Sequence, residues 1–311
     1  MVARPFLFVC WRNSRDCGRL MEVYHAIPML NALIYTLGAL CIKRATTHGV
    51  GPWRTTFISN LALFLAAFPL WFFGKPIEEA TDLLIPLAIG ATFFLGQLLV
   101  CLAIHKGDVS LLTPLLGTKT VFVAFIVSVG LGEALTNAVW LGALLSAVAI
   151  LLMRGGSSGD RKRVTLTVYL GIACSLSYAG TDALTQAYGA ELGFHKIAAG
   201  TFSSVMLFSF FLIPFFKSSI TAITRQTWTW MALGASLMTI QAGLMSFVLS
   251  TYGKATVVNV IYSSRGIWSV VLVWCIGHWF SNKEQSLGRG VLIRRLLGSL
   301  LLVVAILAVM N

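Results

Sequence analysis

The sequence predicts an all-α membrane protein with ten transmembrane helices in two inverted five-helix repeats, and three observations lead there. The chain is 57% hydrophobic and only 11% charged, against about 25% charged residues in soluble domains. Its apolar residues gather into ten segments, most near the roughly 20 residues that one bilayer crossing requires, with short polar connections between them. Residues 27–153 also return, about 144 positions later, in residues 165–310: Leu87-Ala88-Ile89-Gly90-Ala91 followed by Gln97 recurs as Met231-Ala232-Leu233-Gly234-Ala235 followed by Gln241. Each copy holds an odd number of apolar segments, so the two halves are expected to cross the bilayer in opposite senses, an architecture common among transporters.

Taken in order, residues 1–26 form an N-terminal extension in which Arg4, Arg12, Arg15 and Arg19 surround a short apolar run, Phe6 to Trp11. That run is too short for a signal-peptide core. Met21 stands just before the first span, and the repeat has no counterpart upstream of it, so Met21 is an expected alternative start. The first repeat then has spans over 27–45, 54–73, 83–105, 109–131 and 137–153. A basic connecting loop, residues 154–164, leads to the second repeat, with spans over 165–187, 198–216, 228–250, 254–277 and 296–310. The longest connection runs from about 278 to 295, which leaves no room for a separate soluble domain.

The register holds in every pair of spans. Tyr35 matches Tyr178; Thr56-Phe57, Ser59 and Pro69 match Thr201-Phe202, Ser204 and Pro214; Gln97 matches Gln241. In the fourth pair Gly107 and Lys119 match Gly253 and Arg265, and in the fifth Leu141-Gly142-Ala143 matches Leu297-Gly298-Ser299.

Composition also excludes several function classes. The six cysteines include no C-x-x-C pair, and Cys41, Cys101, Cys174 and Cys275 lie inside apolar spans where small-residue packing is their expected role, so neither a disulfide framework nor a metal site is indicated. The net charge of +12 comes from basic residues beside span ends, where lipid headgroups rather than nucleic acid are the expected contact. Trp53, Trp71, Trp140, Trp228 and Trp279 stand at span ends as expected interfacial anchors. No Walker motif, and hence no ATP-hydrolysing cofactor site, is present. The five histidines lie near span ends outside any H-E-x-x-H or Ser/His arrangement, so an intramembrane enzyme is disfavoured. Fourteen Lys and Arg residues fall on side two, the face opposite the amino terminus, and seven on side one. By the positive-inside rule this puts both termini outside the cytoplasm.

Two cations stand inside spans. Lys119 and Arg265 are symmetry-related and near the midplane, where a charge costs roughly 2.5–3.5 kcal/mol on insertion scales and is retained mainly when it faces a cavity or a partner. They either line a substrate cavity, holding a carboxylate or phosphate, or play a structural part, capping carbonyls freed near Pro114 or snorkelling toward an interface. Asn259, Tyr262 and Arg265 share one helical face, as do Ser175, Tyr178, Asp182 and Gln186. Asp182 is the one acid well inside a span; it is a counter-ion to Lys119 or Arg265, a proton carrier of a coupled exporter, or a plain salt-bridge partner for assembly. Gln97 and Gln241 either meet substrate or join helices, and Asn31 with Tyr35 extends the polar lining.

The stretch Gly107-Asp108-Val109-Ser110-Leu111-Leu112-Thr113-Pro114, continuing through Val121-Phe122-Val123-Ala124 to Gly132-Glu133 and Trp140-Leu141-Gly142-Ala143, resembles the EamA-type members of the drug/metabolite transporter superfamily. The resemblance covers residues 27–310. It implies two EamA-like five-helix repeats, a central cavity and alternating access, and a secondary transporter, an exporter by expectation, of a small polar metabolite such as an amino acid or organic anion. Protons are a candidate coupling ion, a homodimer a candidate assembly, and a cell membrane, the inner one in a bacterium, the expected location. Glu133 matches the Gly-Glu position at a helix end, where a role in the turn is expected, whereas the second half has His278-Trp279 there. The resemblance also implies cytoplasmic termini, in conflict with the charge count. A non-transporting membrane receptor or scaffold is the rival reading.

Overall fold

The structure, a computed structural model, describes residues 14–74, 78–106, 115–152, 161–276 and 289–310. The run Phe6 to Trp11, most of the loop 154–164, the stretch Gly107 to Pro114, and His278-Trp279 lie outside the described residues. Every regular element among the described residues is helical. In order they are α1 (Ser14–Thr47), α2 (Pro52–Ala67) with a 3-10 extension Phe68–Phe72, α3 (Thr81–Lys106), and α4 (Lys119–Phe125) between a 3-10 turn Leu116–Thr118 and a π-type turn Ile126–Gly130. Then come α5 (Asn137–Leu152), α6 (Arg161–Ser209) with a 3-10 extension Phe210–Phe215, α7 (Arg225–Tyr252), α8 (Ala255–Tyr262), α9 (Arg265–Ile276) and α10 (Arg289–Met310).

Local chemistry sets several boundaries. Pro52 at the first helical position follows an extended Gly51, where its missing N–H costs no hydrogen bond. The Thr224 hydroxyl accepts the Thr227 N–H to start α7, and Gly253, left-handed at φ 60°, ends it by donating to Leu249 O. Among the described residues, five apolar helices are long enough to cross a membrane: Tyr24–Thr47, Pro52–Phe72, Asp82–Ala103, Val164–Phe215 and Arg225–Tyr252. Shorter apolar helices cover Leu116–Gly130, Asn137–Leu152 and Leu297–Met310.

Val164–Phe215 holds 52 residues, far more than one crossing needs. Gly193, at φ 75° and ψ 160°, divides it into two arms, 161–192 and 194–209. The arms lie antiparallel along α3. Thr92 of α3 bonds Thr181 at 2.9 Å and Gly96 faces Tyr178, while Gly90 faces Thr201 and Ser204. The sequence places a connection over 188–197; instead helix continues on both sides of a single residue, because only Gly193 adopts a conformation that side chains resist. The predicted span 254–277 is likewise interrupted, by a turn at Ser263-Ser264 between α8 and α9.

Helices meet through small residues. A Cβ at Gly234 on α7 would lie 2.7 Å from Ile42 Cγ1 on α1, so these helices pack at glycine distance. The largest core cluster joins Tyr24 and Ala32 of α1, Val123 of α4, Ala179 and Ala183 of α6, Val248 of α7 and Val258 of α8. Trp53 is an exception to the anchoring expectation: it is buried and stacks on Phe215 with ring centroids 5.1 Å apart. Cys41, Cys101 and Cys174 are buried as expected of packing residues, but Cys275 is exposed.

Candidate functional site

A cavity of about 280 Å3 lies among α1, α2, α3, α4, both arms of α6, α7, α8 and α9. Lys119, the first residue of α4, and Arg265, the first of α9, both reach it, each just after a local tightening of its helix. Lys119 Nζ donates to Asp182 Oδ2 at 2.6 Å, with the two side chains 15% and 7% exposed. Asn259 Nδ2 donates to the same oxygen at 2.6 Å and to Ala255 O at 2.9 Å. The Lys119–Asp182 pair is therefore neutral as a unit and held by a third group.

Arg265 makes no ion pair among the described residues. Its guanidinium lies 5.2 Å from the Tyr35 ring centroid and 5.0 Å from that of Tyr262, within the range of cation–π attraction. Lys119 is 6.0 Å from the Tyr178 ring centroid. The described charges lining the cavity thus leave one positive charge without an acid, set among tyrosine rings.

A neutral wall comes from other helices. Gln97 on α3 and Asn60 on α2 exchange two hydrogen bonds of 2.8 Å, and Asn60 also donates to Ser209 at 2.8 Å. Thr181, Thr185, Thr201, Phe93 and Phe202 also line it, as does Gln241 on α7. A wider vestibule of about 790 Å3 shares Tyr35, Ser59, Gln97 and Tyr178 with the cavity and extends to Lys43, the segment 49–55 and Lys217. Lys43, Arg54 and Lys217 in this lining are among the residues that the charge count assigns to side two.

Of the residues singled out in the sequence, Lys119, Arg265, Asp182, Gln97, Gln241, Tyr35, Tyr178 and Tyr262 line this one cavity. Asn259 does not reach it and instead supports Asp182 from behind. Asn31 is fully buried and outside the lining, so its assignment to the polar surface is corrected: it stands a full turn before Tyr35, deep in the helix contacts rather than at the opening. Gln97 joins helices and faces the cavity at once. Ser175 donates to Leu115 O at 3.0 Å, a packing role. Asn60 and the bridge between Gln186 and Glu133, 2.7 Å long, were not singled out as a pair or a site. Asn60 carried the same signal as Gln97, an amide inside an apolar run.

Residues 25–155 match the EamA-like transporter family. No curated protein matches the chain. Among solved structures, one described simply as the crystal structure of a protein superposes with a TM-score of 0.72 at 13% identity, covering 92% of this chain and 97% of that one; at this identity the likeness concerns the fold. The helices long enough to cross a membrane, the polar cavity between them and the family match lead to one conclusion: residues 25–155 are an EamA-like transporter family domain, in a multi-pass integral membrane protein.

Proposed function

We propose that the protein is a secondary transporter that carries a small polar metabolite, such as an amino acid or organic anion, by alternating access about the Lys119–Arg265 cavity. The observation that carries this reading is the acid-free Arg265 beside a neutralised Lys119–Asp182 pair, in a cavity that continues into a vestibule on one face. A carboxylate entering from side two meets a fixed cation with planar donors, and guanidinium geometry suits two-point contact with such a group. The second oxygen of Asp182 is available to a substrate ammonium, which favours zwitterions and monoanions over dianions.

Packing supports the ten-helix inverted repeat. α1 packs on α7 as the first arm of α6 packs on α3; α4 packs on that arm as α8 and α9 pack on α1; and α5 packs on its counterpart α10. Such exchange of equivalent contacts is what two inverted halves produce, and a rocking of one against the other opens the cavity to either face. The EamA-like match over residues 25–155 favours a transporter over an enzyme, and driving force then comes from protons or from the solute gradient. The test is uptake of radiolabelled amino acids and organic anions by proteoliposomes of purified protein. Saturable uptake that is lost in Arg265→Gln and Lys119→Gln supports the reading; uptake unchanged by both substitutions removes the site assignment.

A further inference from the structure

Two hydrogen-bonded rungs, one helical turn apart, tie the first arm of α6 to the short helix α8. In the first rung Asn259 holds Asp182, the cavity acid. In the second, Gln186 Oε1 accepts the Ala255 N–H at 2.6 Å, while Gln186 Nε2 donates to Glu133 Oε1 at 2.7 Å. One amide thus links three segments: the turn after α4, the arm of α6 and the start of α8. Neither Gln186 nor Ala255 lines the cavity, whose lining ends at Thr185 and Leu249. The second rung stands between the cavity and side one.

Other contacts cover the same place. Tyr24 donates to Lys254 O at 3.1 Å, and its ring lies 5.6 Å from that of Tyr252; Phe247 packs edge-on to Tyr252 and Phe194. A Cβ at Gly189 would lie 2.4 Å from Ser250 Cα, so α6 and α7 touch backbone to backbone one turn beyond Gln186. These contacts lie beyond the cavity lining, on the side away from the vestibule.

Helix α8 is a short, separately bounded segment. It is eight residues long, preceded by the left-handed Gly253 and followed by the turn at Ser263-Ser264. Its Asn259 and Ala255 are joined by a 2.9 Å hydrogen bond, so a shift at one rung displaces the other. Asp182 Oδ2 receives both Lys119 and Asn259. A buried carboxylate that loses its counter-ion does not stay dry in the same geometry; it takes up water or turns to another donor.

We propose that the Glu133–Gln186–Ala255 bridge is the side-one gate of the cavity, and that α8 transmits to it the state of the Lys119–Asp182 pair. A ligand anion that draws Lys119 away from Asp182 loosens Asn259, and α8 then releases Gln186. This rests on the transport reading above for the identity of the ligand, but the gate itself is read without transport. Binding and gating are then two ends of one coupled equilibrium.

The test uses the full chain with its native cysteines replaced and Ser246→Cys introduced in the cavity wall, labelled by a membrane-impermeant maleimide in intact cells and in inverted vesicles. Probing both faces removes any dependence on the topology. The parent should label from the vestibule face. Gln186→Leu and Asn259→Leu each remove two hydrogen bonds and should each raise labelling from the gate face at least about tenfold, the shift that loss of even one buried hydrogen bond of this kind produces. Gln186→Glu should do the same, because it sets a second carboxylate against Glu133; adding Glu133→Gln should reverse it, since the amide and the carboxylate then exchange places. This reversal separates a gate from a folding defect. Gate-face labelling unchanged in Gln186→Leu, or no reversal in the double variant, overturns the proposal. Flux measured on the same preparations reports separately: labelling as predicted with no solute movement counts against transport and leaves the gate standing.

Discussion

Replacing Arg265 by glutamine separates what this cation does for folding from what it does for ligand. Its two ring contacts, at 5.2 Å and 5.0 Å, are worth roughly 0.5–2 kcal/mol each. Against this, the side chain holds a charge in a low-dielectric region without an acid partner among the described residues, and its removal relieves a cost of similar size. The net change in stability should fall within about 1 kcal/mol. Binding responds differently, because a hydrogen bond to a charged group contributes about 1.5–3 kcal/mol, and each 1.4 kcal/mol is about tenfold in affinity. Arg265→Gln should therefore weaken binding of a carboxylate solute about ten- to a hundredfold while the melting profile stays near that of the parent. Arg265→Lys, which keeps charge but loses the planar stack and fork, should fall between. Isothermal titration with a panel of amino acids and organic anions, paired with thermal melts in detergent, reads both quantities. Undiminished affinity in a well-folded Arg265→Gln protein would refute the assignment of this residue to the anion.

Three further outcomes follow from the geometry. Gly189→Ala places a methyl group 2.4 Å from Ser250 Cα and O, an overlap of backbone that should cost about 1–3 kcal/mol in thermal stability; a melt identical to the parent would show that the two helices are not in contact. Gln97→Leu leaves Asn60 without its paired amide and should destabilise by about 1–3 kcal/mol, whereas the double change Gln97→Leu with Asn60→Leu should recover part of the loss, as a double-mutant cycle would measure. Trp53→Ala removes a buried ring stacked on Phe215 and should cost about 3–5 kcal/mol, while an interfacial tryptophan would be nearly neutral to the same change.

The membrane class and the cavity charges were legible because both depend on burial alone. Lys119, Asp182 and Arg265 stand out in any apolar run, and the repeat register pairs the two cations before any packing is known. Breaks inside helices were not legible. Gly193 is one of 28 glycines, and nothing in its neighbours marks it as the residue at φ 75°. Asn259, Tyr262 and Arg265 keep helical spacing across the Ser263-Ser264 turn, so sequence periodicity passes through it unnoticed. Asn31 erred in the other direction. Its spacing from Tyr35 puts both on one side of α1, but the cavity surface ends before reaching it. Trp53 sits at a span end in sequence and inside the bundle in space, since the 3-10 extension Phe210–Phe215 returns to cover it. The Gln186 bridge needs three segments remote in sequence, a juxtaposition only the tertiary fold supplies.

The central claim is that the cavity carries solute across the membrane by opening to one face at a time. Counterflow in proteoliposomes tests it most directly: vesicles loaded with an unlabelled solute that the protein binds, diluted into the same solute radiolabelled at trace level. A carrier of this kind should concentrate label transiently inside the vesicles above its external level, with no imposed ion gradient, and Arg265→Gln should abolish the overshoot. Label that equilibrates without overshoot, or never enters, would contradict the account.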